Sequence, residues 1–347
     1  MLHRACRATL AGGAARRRAP FARLSAAASP RPPYGVAFDI DGVLLVGPDV
    51  VPGAPEALQA LTAAGVPYCF VTNGGGVSEA AKCAALEAKL GVPVSVDQML
   101  LSHTPMKALA ERYAGEQVLV VGSGEATYAV AREYGFDVVT CDMVHRKEPE
   151  IFPFRAPPAG EAAWDGKPLA AVLVMHDSVE WGADAQIVVD ALVGGAPLGT
   201  AATDGAATEQ AVPLYASNPD FVWKASYPAP RFAQRAFVDT VALLYAERTG
   251  GARLARTEFG KPTPGTYRFA ERMLGGAAAP ARIYAIGDNP AADIAGANAA
   301  GDHWTSVLVR TGIFAGGAND PLDPADIVVD DVGQAIAAIQ AREAGRR

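Results

Sequence analysis

The stretch Tyr34-Gly35-Val36-Ala37-Phe38-Asp39-Ile40-Asp41-Gly42-Val43-Leu44 decides how the rest of the chain is read. Its first part, Tyr34 to Ile40, is short and apolar, the signature of a strand buried on both faces. It runs straight into Asp39 and Asp41, two carboxylates two residues apart, and then a glycine. Carboxylates directly after a buried strand are expensive to desolvate without a partner, and a cation relieves that cost. One of them can attack phosphorus as a nucleophile. The other can protonate a leaving oxygen and then activate water. Taken alone, the same residues also fit an ordinary acidic turn.

Outward from this strand the grammar is regular. Pro55–Ala64 has helical spacing and stops at Gly65; Val66–Val71 is a second buried strand, punctuated by Asn73-Gly74-Gly75-Gly76. Ser78 is placed to cap a helix over Glu79–Leu90 that ends at Gly91. Helices are expected around Pro105–Tyr113, Ala126–Tyr134 (capped by Ser123-Gly124) and Ala185–Val193, and strands at Gln117–Val121, Phe136–Thr140 and Leu169–Met175. Asp142–Asp165 reads as irregular, Gly194–Ala211 as a loop and Phe232–Glu247 as a long helix. The last third returns to helix Thr263–Leu274, strand Ala281–Ile286, helix Pro290–Ala300, strands Ser306–Arg310 and Asp326–Val329, and a closing helix Val332–Ala341. Alternating strands and helices predict a parallel α/β sheet.

Three further elements carry chemistry. Val71-Thr72-Asn73-Gly74 offers a hydroxyl, an amide and open backbone at a strand end, suited to an oxyanion. Gly260-Lys261-Pro262 holds a point charge between glycine and proline. Gly287-Asp288-Asn289-Pro290-Ala291-Ala292-Asp293 follows another buried strand, and Asp288 is of the right type for a magnesium site. Asp293 is spaced to orient Lys261 or a metal-bound water.

In order, placement and residue type these elements resemble the haloacid dehalogenase-like hydrolases over nearly all of Tyr34–Ala341. The 188 residues between Thr72 and Lys261 place an insertion after the second motif, as in the NagD-like branch, subfamily IIA. Within it the chain is similar to the mitochondrial cat-eye-syndrome-critical-region hydrolase family. The likeness rests on Phe38–Leu44, Phe70–Asn73, Ser102–Lys107, Ala216–Asp220, Pro230–Phe232, Gly260–Pro262 and Tyr284–Pro290. It departs from the expected pattern at Ala292, which leaves both neighbouring aspartates in place.

The resemblance implies a Rossmann-like parallel-sheet core with an inserted α/β cap of the C2 type. The expected layout is core over 32–101, cap over 102–230 and core over 231–347. By resemblance Asp39 is the nucleophile, Asp41 the acid and base, and Thr72 and Lys261 the phosphoryl ligands, joined by Asn73, Gly74 and Arg231 in binding substrate. Mg²⁺ is expected at Asp39, Asp288, Asp293 and Asp41, the last through its backbone carbonyl. Asp41 itself favours phosphate esters, whose leaving alkoxide needs a proton. The implied activity is a Mg²⁺-dependent phosphatase acting on a small phosphorylated metabolite, with a link to glycerophospholipids suggested for relatives. Rivals are phosphotransfer to another acceptor and a non-catalytic mitochondrial scaffold. A homodimer through the cap is a further expectation.

Composition sets the cellular frame. The net charge of −7 averages two unlike pieces: residues 1–31 carry seven arginines and no Asp, Glu or Lys, which leaves −14 on the remaining 316. An Arg-rich, acid-free N-terminus has the composition of a mitochondrial transit peptide and predicts the matrix. The acidic remainder argues against a general nucleic-acid coat. No apolar run approaches the roughly 20 residues of a membrane span. Cys6, Cys69, Cys83 and Cys141 form no CxxC pair and are expected to be reduced. His176-Asp177 reads as a cap-core or surface pair, Lys224 as a residue near the cap exit, and the four tryptophans as core or rim.

Overall fold

The computed structural model describes residues 33–160, 162–201, 209–223 and 227–346. The expected transit peptide and Lys224 lie outside the described residues.

Two parallel sheets organise the chain. The first has six strands in the order Ile327–Val329, Trp304–Val309, Ile283–Gly287, Gly35–Phe38, Tyr68–Val71, Met99–Leu100. Every pairing in it is parallel. Alternate side chains go to opposite faces, as strand geometry requires. Val36, Phe38, Tyr284 and Ile286 pack with Leu58, Leu86 and Ile336 of three helices on one side. Ala37, Ile283 and Ala285 pack with Tyr267, Ala270 and Trp304 on the other. Both faces are covered, which is why these strands read as continuous apolar runs rather than alternating ones.

The register positions the site. Phe38 lies beside Ile286 and beside Phe70, so the strands bearing Asp39, Asp288 and Thr72 at their carboxyl ends are immediate neighbours. Crevices outside the carboxyl ends of such strands are where open α/β sheets bind ligands.

The second sheet has five parallel strands in the order Arg256–Glu258, Leu214–Ala216, Leu169–Val174, Gln117–Val121, Asp137–Thr140. Helices Trp181–Val193 and Gln234–Arg248 bury its one face, through Ile187, Leu192, Phe237 and Tyr245. Val130 and Tyr134, at the end of helix Glu125–Glu133, pack on the other with Val118 and Leu173.

The second layer is larger than the expected 102–230. Helix Gln234–Arg248 packs in its core, and strand Arg256–Glu258 is its edge, so the chain returns to the first layer near Gly260. This strand has no apolar pattern; Arg256 pairs with Glu258 at 2.9 Å and Asp239 at 2.6 Å, and only backbone pairing marks it as β. Part of the segment expected to be irregular forms helix Cys141–Lys147, capped by the Thr140 hydroxyl. The expected helix at Pro105–Tyr113 is a 3₁₀ segment over Thr104–Leu109, and Pro290–Ala300 splits into a π-turn, Pro290–Ile294, and a short helix, Ala295–Ala299. Cys69, Cys83 and Cys141 are free and buried. Among the described residues no helix is long and apolar enough to cross a membrane.

Candidate active site

At the carboxyl ends of the three neighbouring strands, Lys261 joins two carboxylates. Its Nζ lies 2.7 Å from Asp39 Oδ1 and 2.6 Å from Asp293 Oδ1. All three side chains are nearly inaccessible to water, at 5, 9 and 5% exposure. Burial works against the ammonium, but Asp293 and Asp39 outweigh it and raise its pKa, so the charge is retained. Asp39 is also shifted upward: burial lifts it well above the usual carboxylate range, Lys261 pulls it back, and Asp293, Asp288 and Asp41 push it up again. Asp288 is pushed up to about 7, by burial first and then by Asp293.

Asp39, Asp288 and Asp293 each present an oxygen within 4.8 Å of the others. One lysine cannot neutralise three buried carboxylates, and the raised pKa values of Asp39 and Asp288 express that deficit. The donor set, hard oxygens in a compact cluster, fits a magnesium ion. Space for Asp288 is made by glycine. Its carboxylate lies against Gly42 and Gly312, where an added Cβ would come within 2.3 and 1.8 Å of Oδ2. Gly42 also adopts φ 93°, a conformation that strongly favours glycine. The Ile313 N–H donates to Asp288 Oδ2 at 2.6 Å and fixes the carboxylate. The π-turn turns Asp293 back toward the sheet, where Asn289 N–H holds its Oδ2 at 3.0 Å and the Tyr267 hydroxyl holds its carbonyl at 2.9 Å.

The other expected residues fall in three groups. Thr72 and Gly74 face the same cleft; Thr72 Oγ1 accepts the Gly74 N–H at 3.0 Å, which leaves the hydroxyl proton for a ligand oxygen. Asp41 is exposed in the cleft, its carboxylate 62% accessible and 4.0 Å from Lys82 Nζ. Asn73 does not present its amide to the cleft as expected of an oxyanion donor. Both amide protons are taken, by Asp220 Oδ2 at 3.0 Å and by the Lys261 carbonyl at 2.9 Å. Its oxygen accepts the Lys261 N–H at 2.7 Å. Arg231 is not brought to the site. It is exposed, outside the cleft lining, donates to the neighbouring Pro230 carbonyl at 3.0 Å and covers the Tyr227 ring at 4.4 Å.

The cleft lies between the layers and encloses about 440 Å³. The second layer contributes His176, Asp177, Asn218, Asp220 and Trp223 to its wall. His176 and Asp177 thus line the cleft, against the reading of a cap-core or surface pair. Ser123 caps no helix; its hydroxyl lies 2.8 Å from His176 Nδ1, while Gly124 stands at the helix start. Asp220 enters the sequence reading only within the stretch Ala216–Asp220 that carries the family likeness, with no role of its own there; its N–H bonds to Asn218 Oδ1 at 2.8 Å.

Two family models match the chain: the haloacid dehalogenase-like hydrolase model over residues 36–137, and an HAD-hydrolase-like model over 258–335. The mitochondrial hydrolase YKR070W of Saccharomyces cerevisiae is 35% identical, with 86% of this chain and 93% of the relative covered. The chain belongs to the haloacid dehalogenase-like hydrolases. A Schizosaccharomyces pombe protein named as a cardiolipin synthase and mitochondrial hydrolase fusion is 34% identical; 91% of this chain aligns, but only 54% of the fusion. Among solved structures, the p-nitrophenyl phosphatase from Archaeoglobus fulgidus superposes with a TM-score of 0.62 at 18% identity, covering 89% of this chain and all of that one. NagD from E. coli superposes with a TM-score of 0.55 at 21% identity, covering 86% and 97%. These neighbours share the fold, a parallel-sheet α/β hydrolase of the NagD type.

Proposed function

We propose that the chain is a Mg²⁺-dependent phosphatase that hydrolyses small phosphate monoesters through phosphorylated Asp39. The observation that supports this best is the Lys261 bridge between Asp39 and Asp293 beside Asp288. The bridge holds Asp39 in place at the floor of the cleft. Asp39 Oδ attacks phosphorus while the leaving oxygen departs in line. Asp41, exposed in the cleft, gives a proton to that oxygen and then takes one from the water that cleaves the acyl phosphate. The Thr72 hydroxyl and the Lys261 ammonium bind the phosphoryl oxygens, where charge develops.

Asp39, Asp288, Asp293 and the Asp41 carbonyl would hold the metal. Mg²⁺ would supply charge neutralisation for the phosphoryl group and the buried carboxylates. Phosphotransfer to an acceptor other than water is the enzymatic rival, and a scaffold that kept the fold is the non-enzymatic one. The intact set of Asp39, Asp41, Lys261 and Asp288 weighs against the scaffold.

Relatives named as mitochondrial support placement in mitochondria, and the basic segment 1–31 supports import into the matrix. Short matches to proteins named glycerol-3-phosphate phosphatase and sugar-phosphatase AraL, over 13% and 27% of the chain, fit a polyol phosphate as substrate class. The fusion partner named cardiolipin synthase fits a link to glycerophospholipids. A homodimer through the second layer belongs to the same reading.

The test uses the full chain with a panel of phosphate monoesters, with and without EDTA. Release of phosphate that needs Mg²⁺ and is lost in Asp39→Asn is expected. No release across the panel, or equal release by Asp39→Asn, would sink the reading. Formation of phosphorylated alcohol in place of free phosphate would establish transfer instead.

A further inference from the structure

A buried polar chain behind the glycine loop has no part in the reaction described above. Glu79 opens helix Glu79–Leu90 in the first layer. Tyr134 closes helix Glu125–Glu133 in the second. His103 and Thr104 lie where the chain first crosses between layers. The Tyr134 hydroxyl donates to Glu79 Oε1 at 2.5 Å, and the Thr104 hydroxyl donates to the same oxygen at 2.8 Å. His103 Nδ1 lies 2.9 Å from the Tyr134 oxygen, and Nε2 lies 3.2 Å from the Val77 carbonyl. All four side chains are buried.

The chain of contacts ends on the loop that frames the cleft. A Cβ added to Gly75 would lie 2.9 Å from His103 Cδ2, so the loop backbone rests on the imidazole. Gly74 and Gly75 line the cleft beside Thr72. Three glycines in a row resist no deformation of their own, because glycine has the widest conformational freedom of any residue. Their shape must be imposed from outside. The face of Gly75, against which the imidazole rests, is where that constraint acts.

A simple tie between layers would not need this arrangement. Apolar side chains join buried surfaces at lower desolvation cost than a carboxylate, a phenol and an imidazole. What the polar chain adds is direction. Glu79 fixes the Tyr134 hydroxyl, the hydroxyl fixes the imidazole plane, and the imidazole fixes the loop.

We infer that Glu79, Tyr134 and His103 are positioning residues that make the shape of the Gly74–Val77 loop depend on docking of the second-layer helix that carries Tyr134. The inference rests on the phosphatase reading only in taking the loop as part of the phosphate site. Substrate binding and the seating of that helix are then one event, because the hydroxyl that seats it also shapes the loop.

Tyr134→Phe tests this, since it keeps the ring and removes only the bridging hydroxyl. Amide exchange of the Gly74–Val77 loop is measured in the full chain, with KM for 4-nitrophenyl phosphate and inhibition by inorganic phosphate. Loop exchange is expected to speed about tenfold, and KM and the phosphate inhibition constant to rise by about the same factor, the scale of one hydrogen bond to a charged group. kcat is expected to change less than threefold. Glu79→Gln, which keeps an acceptor for both hydroxyls, is expected to retain most of the loop protection, whereas Glu79→Leu, which removes it, is expected to speed loop exchange as Tyr134→Phe does and serves if Tyr134→Phe fails to fold. Unchanged loop exchange in Tyr134→Phe, or a fall in kcat at constant KM, overturns the inference. So does faster exchange spread evenly over the whole chain, which marks a merely structural tie. If the wild type hydrolyses nothing, the phosphatase reading fails while the exchange measurement still decides this one.

Discussion

Asn73 grips the backbone of Lys261 from both sides. Its side-chain oxygen accepts the Lys261 N–H at 2.7 Å and its amide donates to the Lys261 carbonyl at 2.9 Å, across 188 residues of sequence. The second amide proton goes to Asp220, so one side chain joins the second motif, the lysine and the second layer. The lysine therefore reaches Asp39 and Asp293 from a backbone held in two places.

Asn73→Ala should uncouple that backbone. It leaves a buried N–H and C=O without partners, at about 1–3 kcal/mol for each group. The ammonium shifts with its main chain, and displacements near 1 Å cost on the order of 100-fold in rate. The expected result is a loss of about 100-fold in kcat/KM with a lowered denaturation midpoint. Wild-type kcat/KM in this variant would show that Lys261 holds its position unaided.

Gly312 makes a second prediction. An alanine Cβ there would come within 1.8 Å of Asp288 Oδ2, so Gly312→Ala must push the carboxylate aside. Activity should then require at least about tenfold more Mg²⁺, the lower end of the loss seen when groups that orient metal ligands are removed. Gly316 has nothing within 4 Å of its Cβ position, so Gly316→Ala is the control expected to titrate like wild type. Equal Mg²⁺ requirements in the two variants would count against Asp288 as a ligand.

Asp220 carries a pH prediction. Burial, only partly offset by the Asn73 hydrogen bond and Lys261, pushes its carboxyl up to about 6. Unfolded, it titrates near its ordinary value of about 4. Between those values the folded chain holds a proton that the unfolded chain has released, so stability falls as pH rises through the window. At pH 7 the buried charge opposes folding by at most about 3 kcal/mol. Asp220→Asn removes this contribution. Denaturant unfolding between pH 4 and 7 should show a shallower decline for the variant than for wild type. Parallel curves would mean that Asp220 titrates normally in the folded chain.

Much of the catalytic constellation was legible along the chain. Asp39, Thr72 and Asp288 each end a short apolar run, and buried parallel strands leave that pattern because both of their faces are covered. Lys261 was legible from its glycine and proline neighbours. The edge strand Arg256–Glu258 was not legible, since an edge strand held by backbone pairing and ion pairs needs no apolar period. Asn73 and Arg231 show the limit most clearly. An amide beside a phosphate motif reads as a donor to phosphate, and an arginine near a hinge reads as a grip on an anion. What an amide or a guanidinium binds depends on what the fold brings within 3 Å, and sequence holds no record of that.

By itself, then, the sequence determined the layered α/β order, the insertion after the second motif and the residue types for chemistry on a phosphoryl group. Local periodicity and strand-end placement carry that information. Tertiary structure alone decided that Asp39 and Asp293 share one buried lysine, that Asp288 rests between Gly42 and Gly312, and that His176, Asp177 and Asp220 cross from the other layer to line the cleft. Each is a contact between residues far apart in sequence. Only the alignment of strand ends within the first sheet, and the placing of the second layer over them, sets those distances.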